Sequence, residues 1–186
     1  MELTADLVEE KIQTYPEIQP LAHAEEEHLE MLPDMLASGD YGWRDPEWIV
    51  QWYGRRFLGT IPNADQRAIE DAYDENDYEA VHDAISGAVD AEGVAEKLSH
   101  LTALSGVDVP VGSAFCQFID PDRYVALDGR QWSVLQEAGE LDEPYPETPE
   151  AADYERYLEA YRSIAERCDR DLWDLYRAVW VLGSEQ

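Results

Sequence analysis

Apolar residues recur at intervals of three and four along nearly the whole chain, which puts them on one face of an α-helix rather than on the alternating face of a strand. After a short opening segment, residues 17–38 carry Ile18, Leu21, Leu29, Leu32, Met35 and Leu36 in one stripe, with Pro20 in the first turn and Pro33 at a late bend. Asp45-Pro46-Glu47 then reads as a helix start: a capping aspartate, a proline at the first helical position and a glutamate at the positive dipole end. That helix runs to about Leu58, placing Trp48 over Trp52, and Ile49 over Tyr53 and Phe57. Arg55 and Arg56, at its end, complement its dipole and nearby carboxylates.

Two short helices are predicted over 63–73 and 77–87, the second capped by Asp77 with Tyr78, Val81 and Ile85 inward. Another runs from a cap at Asp90 through Val94, Leu98 and Leu101 to Gly106, and its neighbour starts at Asp108 with Val111, Ala114, Phe115 and Phe118. Asp120-Pro121-Asp122 is a turn, and residues 124–127 are too short and solitary to build a sheet. Asp128 opens a helix bearing Trp132 and Leu135 that ends near Gly139, and an acidic, proline-rich exposed loop follows over 137–147. A long helix from Thr148-Pro149-Glu150 carries Tyr154, Tyr157, Leu158, Tyr161, Ile164 and Cys168 on one face. A final one, capped by Asp169, carries Leu172, Leu175, Tyr176 and Val179. The expected fold is all-α, about nine helices with short connections and no internal repeat.

Composition bears on partners and solvent. Of 186 residues, 42 are Asp or Glu and 13 are Lys or Arg, a formal net charge of −29, which argues against an ordinary basic nucleic-acid or membrane-surface protein. Six tryptophans and eleven tyrosines nevertheless supply one sizeable core. Only Lys11 and Lys97 are lysines, and this depletion beside dense carboxylates is the balance expected of a protein dissolved in multimolar salt, hence of a halophilic, archaeal source. The N-terminal stretch is acidic and no apolar run approaches the about 20 residues of a membrane span, so a cytoplasmic protein is expected. Cys116 and Cys168 lack Cys-x-x-Cys spacing and read as buried, reduced thiols.

Several chemistries are excluded by inspection. The chain holds no phosphate-cradling glycine loop ending in Lys-Ser or Lys-Thr, no His-Glu-x-x-His helix and no Gly-x-Ser-x-Gly elbow. Glu25-x-x-His28 and Glu79-x-x-His82 have the spacing that di-metal carboxylate bundles use, but glutamate is so common here that the pattern arises readily by chance, and no metal or other cofactor is expected. His23 and His100 read as surface or capping residues.

The stretch Leu101-Thr102-Ala103-Leu104-Ser105-Gly106-Val107-Asp108-Val109-Pro110-Val111-Gly112-Ser113-Ala114-Phe115, followed by Asp120-Pro121-Asp122-Arg123-Tyr124-Val125-Ala126-Leu127-Asp128, resembles the helix-hairpin-helix of the base-excision DNA glycosylase superfamily. Leu104, Gly106 and Val107 match its turn, Gly112, Ser113 and Ala114 its small-residue helix start, and Asp128 falls at the position of its catalytic aspartate. The detailed signature covers about 30 residues. The resemblance implies a two-lobed helical fold, with one lobe from 44 to 122 ending in the hairpin (91–119) and the other from 1–43 plus 123–186. It also implies DNA, at high salt, as a partner: Gly106, Val107, Asp108, Gly112, Ser113, Arg123 and Arg130 on the phosphate backbone, Trp43, Arg44, Trp48, Trp52 and Trp132 around an extruded base, and Asp128 stabilising an oxocarbenium-like transition state.

Asp108 stands where the family has its second hairpin glycine, and the residues from Val107 to Ala114 include no lysine, which excludes Schiff-base lyase chemistry there. The absence of a four-cysteine cluster excludes the iron–sulfur branch. Two functions therefore stand side by side, a monofunctional glycosylase using Asp128 and a catalytically silent binding module on the same fold, with a di-metal helical protein as a third.

At 0.01 M salt the carboxylates repel one another over about 30 Å, and at 1 M over only about 3 Å. Helicity followed by circular dichroism should therefore rise from dilute buffer to molar KCl; full helicity without salt would show that the acidity is no adaptation to salt.

Overall fold

The computed structural model describes residues 1–185, which contain ten α-helices: α1 Ala5–Ile18, α2 Ala22–Ser38, α3 Arg44–Arg55, α4 Asn63–Tyr73, α5 Tyr78–Asp90, α6 Val94–Leu101, α7 Val109–Ile119, α8 Gly129–Glu137, α9 Ala151–Cys168 and α10 Leu172–Ser184. The all-α expectation holds, and residues 124–127 are extended with no strand beside them among the described residues.

Several boundaries differ from the sequence reading, each for a local reason. The opening segment is a full helix: Thr4 caps α1 by accepting from the Leu7 amide, and Val8, Ile12 and Tyr15 make a stripe too sparse to stand out among charges. The chain breaks at 19–21, so Pro20 precedes α2 rather than opening it, while Pro33 lies inside α2. Asp45 does not cap α3; it sits in the first turn and accepts from the Gly42 amide at 2.8 Å, tying the preceding loop to the helix. Leu58 turns left-handed (φ 52°) and closes the route beyond Arg55. Asp90 finishes α5 instead of capping the next helix, which Gly93 introduces. Asp169 takes the left-handed position that ends α9, and Asp171 caps α10 through the Asp174 amide. Tyr78 points outward, donating to the Tyr41 carbonyl, whereas Val81 and Ile85 are buried as expected. Asp77, Asp108 and Asp128 are the caps the sequence indicated.

Helix α1 lies along α10, which α8 and α9 also hold; α2 packs on α7 and α5, α3 on α4 and α7, and α6 on α5, α7 and α9. The buried side chains form one continuous core. It crosses the line drawn between residues 44–122 and the rest, through the α2–α7, α2–α5 and α6–α9 contacts. At the same time α1–α10 packing and the Glu26–Arg177 pair (3.6 Å) join the N-terminal helices to the C-terminal ones.

The turn between α6 and α7 depends on Gly106. Its φ of +76° is left-handed, and a Cβ there would come within 2.7 Å of the Ile69 carbonyl oxygen and the Tyr73 amide nitrogen of α4. Both atoms are backbone, so neither can yield without moving the helix. Gly106→Ala should cost about 2 kcal/mol or more, seen as a fall of roughly 4 to 8 °C in melting temperature; an unchanged melting temperature would show that α4 can retreat freely.

Candidate functional site

The centre of the molecule is a polar chain threaded through aromatic rings. Asp128, the residue before α8, is 1% exposed. Its Oδ1 accepts from the Gln131 amide (2.8 Å), and its Oδ2 from Arg56 Nη1 (2.8 Å) and Gln131 Nε2 (2.9 Å). The same Arg56 nitrogen donates to the Tyr176 hydroxyl at 2.9 Å, and the Tyr161 hydroxyl donates to Gln131 Oε1. Side chains from α9, α8, the end of α3 and α10 are thereby joined in one sequence of hydrogen bonds.

Arg56 is fully buried, and its guanidinium carbon lies 4.6 Å from the ring centres of both Tyr53 and Phe57, 5.1 Å from Trp52 and 5.8 Å from Tyr176. Burial works against its charge, but Tyr176 and Asp128 more than offset this and hold its pKa well above the usual arginine value. The sequence reading put Arg56 at a helix end, beside its dipole and nearby carboxylates; a carboxylate is indeed its partner, but in the core. Its spacing from Trp52 and Tyr53, four and three residues, places it on the apolar face of the same helix, and that was the signal available.

The extended segment before Asp128 is built by side chains. All of residues 124–127 are buried, and their peptide groups find partners on three helices. Gln117 Oε1 accepts from the Ala126 amide (2.8 Å) and Ser113 Oγ from the Leu127 amide (2.7 Å), both from α7. The carbonyls of Val125, Ala126 and Leu127 accept from the hydroxyls of Tyr154, Tyr157 and Tyr53 at 3.0, 3.1 and 3.0 Å. Tyr154 and Tyr157 had been legible only as apolar positions; their hydroxyls set the path of the chain into Asp128.

The other predicted site residues are dispersed. Gly106 faces α4, Val107, Gly112 and Ser113 are buried, and Asp108 is exposed with its carboxylate on the Val111 amide (2.9 Å) at the start of α7. One orphan amide of that helix end, that of Val111, is thus already met by a negative charge. Arg123 is exposed, 3.8 Å from Asp120, while Arg130 is half-buried against Phe57 and Trp180.

Of the aromatic set, Trp48 and Trp52 lie together, their ring centres 6.3 Å apart and both edge-on to Phe118. Trp43 packs on Tyr73, Arg44 is exposed, and Trp48 stacks on His28 at 3.5 Å. Trp52 is buried edge-on to Phe118, and Trp132 is buried against Tyr157 with its indole donating to the Glu143 carbonyl. Helical spacing made these rings core residues first.

The two Glu-x-x-His pairs are also separate. Glu25 gives both oxygens to Tyr15 and Trp52, and His28 bonds its own helix at Ala24, while Glu79 is exposed and His82 packs on Tyr41. Among the described residues no group of three or more His, Cys, Asp or Glu is placed to hold a metal ion. Cys116 and Cys168 are buried, unpaired thiols, and burial pushes Cys116 up to about 12. No helix of the described residues is long and apolar enough to cross a membrane. Compared with known proteins, the chain matches no family model, no curated sequence and no solved structure.

Glu25 yields a test of this interior. Burial raises its pKa above the ordinary glutamate value, against the hydrogen bonds from Tyr15 and Trp52. A carboxyl whose pKa is higher folded than unfolded contributes stability that is complete below the unfolded value, about 4.3, and is lost as pH rises through the folded one. In Glu25→Gln, Trp52 can still donate to the amide oxygen while the Tyr15 hydroxyl turns to accept. Melting temperatures at fixed salt should fall less steeply above about pH 4.3 in the variant than in the native protein; identical slopes would mean that Glu25 ionises without penalty.

Proposed function

We propose that the protein acts by binding rather than by breaking bonds, as a catalytically silent module on a glycosylase-like helical fold. The observation that carries this reading is the engagement of Asp128. Both its oxygens are occupied by Arg56 and Gln131 behind a surface that leaves it 1% exposed, so neither a sugar nor an attacking water can reach it in this conformation. A general base must lie within hydrogen-bond reach of the proton it takes. Asp108 supports the same reading, since a phosphate approaching the start of α7 meets a carboxylate already seated there.

The resemblance supplies a second reading, a monofunctional DNA glycosylase acting at high salt with DNA as its partner. What favours it is the position of Asp128, which follows the extended segment and starts a helix, downstream of a left-handed Gly106 in the turn before α7. Arg56 would have to release the carboxylate for that chemistry, leaving a buried cation unpaired.

One experiment separates the two. Duplexes carrying deaminated, oxidised or alkylated bases, incubated with the folded protein in molar KCl, should release no base. Asp128→Asn should keep the cap but strand the Arg56 charge, lowering stability by about 3 to 5 kcal/mol, and adding Arg56→Met should recover most of that loss. Base release by the native protein that disappears in a folded Asp128→Asn variant would overturn the silent reading in favour of the glycosylase.

A further inference from the structure

Between the turn at 120–123 and the junction of α9 with α10 lies a cavity of about 350 Å³ whose wall carries Arg123, Arg162 and Arg170 together with Asp122 and Asp171. Its volume falls in the range of small-molecule sites. Lysine and arginine are outnumbered 13 to 42 by carboxylates in this chain, so three guanidiniums around one hollow depart from the general surface. None of these residues belongs to the hydrogen-bonded chain through Asp128, and the cavity is a separate place on the molecule.

Two of the guanidiniums are held by the backbone. Arg162 Nη2 donates to the Arg123 carbonyl at 2.9 Å, which ties α9 to the turn, and Arg170 Nη1 donates to the Asp169 carbonyl at 3.1 Å while its Nη2 reaches Glu9 at 2.8 Å. Burial raises the pKa of Tyr124, and the charges of Arg123 and Arg162 both oppose this, so the two cations sit near one hydroxyl. Their counter-charges are divided unevenly. Glu9 answers Arg170 and Asp120 stands 3.8 Å from Arg123, whereas Arg162 makes no ion pair among the described residues. Asp171 spends one oxygen on the Asp174 amide as the cap of α10, and the Asp122 carboxylate has neither an ion pair nor a hydrogen bond among the same residues. Arg162 and Asp122 therefore line one hollow with opposite charges and do not reach each other.

The mixture of signs selects the ligand. A phosphate or other pure anion brought to the arginines meets Asp122 and Asp171, and a simple ammonium brought to the aspartates meets three guanidiniums. A molecule bearing both charges escapes both penalties. Its carboxylate takes the remaining N–H groups of Arg162, in the planar pairing that guanidinium and carboxylate favour, and its ammonium turns to Asp122. Ala165 and Leu172 complete the wall with apolar surface for a short aliphatic group. We propose that this cavity binds a small zwitterion of the α-amino-acid class, with Arg162 and Asp122 as its two charged anchors.

The test is an NMR titration of the full nitrogen-labelled chain with L-alanine, in molar KCl. Shifts that saturate on the order of 10 mM alanine are expected at the Arg162 Nε–H and at the backbone amides of 122–123 and 170–172. Propionate and ethylammonium, which carry one charge each on a similar skeleton, should bind about tenfold more weakly or worse. Arg162→Gln and Asp122→Asn, both exposed and outside the core, should each weaken alanine by about tenfold or more. The comparison of alanine with its two single-charge analogues needs only the native chain and stands even if a variant does not fold. No saturable shift with alanine, propionate or inorganic phosphate binding as tightly as alanine, or unaltered alanine binding in either folded variant would overturn the proposal.

Discussion

Everything near the centre of this molecule is arranged around one guanidinium in the core. Moving a charge out of water costs several kcal/mol even after relaxation, and an ion pair repays that only with good geometry and further hydrogen bonds. Arg56 has the paired carboxylate of Asp128, the Tyr176 hydroxyl and a box of four aromatic rings. Asp128 in turn is the cap of α8, so the charge that neutralises Arg56 also satisfies one orphan amide of that helix, the one on Gln131. Because the two residues lie 72 positions apart, the pair forms only when α3 and α8 are both in place. It fixes their relative position, which apolar packing alone specifies less sharply.

The exterior follows other rules. Three other arginines work as surface clips: Arg156 to Glu143 and Asp153, Arg167 to Glu140, Arg170 to Glu9. Lys11 reaches Glu185, fastening α1 to the end of α10. Each such pair contributes little in water and less as salt rises. With carboxylates outnumbering cations roughly three to one by composition, most acidic side chains have no cation to pair with, and their mutual repulsion outweighs these pairs in the surface energetics. Lys97, the other lysine, is withdrawn altogether: it is buried, with its ammonium on the last carbonyls of α5 at Ala88 and Val89.

Helix periodicity and aspartate caps made much of this architecture readable from sequence. The caps at Asp77, Asp108 and Asp128 followed because a side-chain acceptor three residues before a free amide is a local requirement. Asp45, Asp90 and Asp169 show the limit of that rule, since an aspartate near a helix end here ties back a loop, finishes the preceding helix or turns left-handed, and neighbouring residues decide which. Position in the chain indicated Asp128; its burial was not legible, because the cation that seals it comes from α3, far away in sequence. The tyrosines of α9 were correctly placed on the inner face, yet hydropathy patterns register a ring and are blind to the direction of its hydroxyl.

The extended run at 124–127 carries a last consequence. In a sheet, a strand's backbone is matched by another backbone, and almost any residue can stand in the neighbouring strand. Here the matching groups are the side chains of Ser113, Gln117, Tyr53, Tyr154 and Tyr157. Replacing any one by an apolar residue of similar shape strands a buried peptide group. The run itself can exchange one aliphatic residue for another of like volume with little effect. Sequence drift in such a chain would therefore be inverted from the usual expectation, freer in the irregular segment than in the helices that face it.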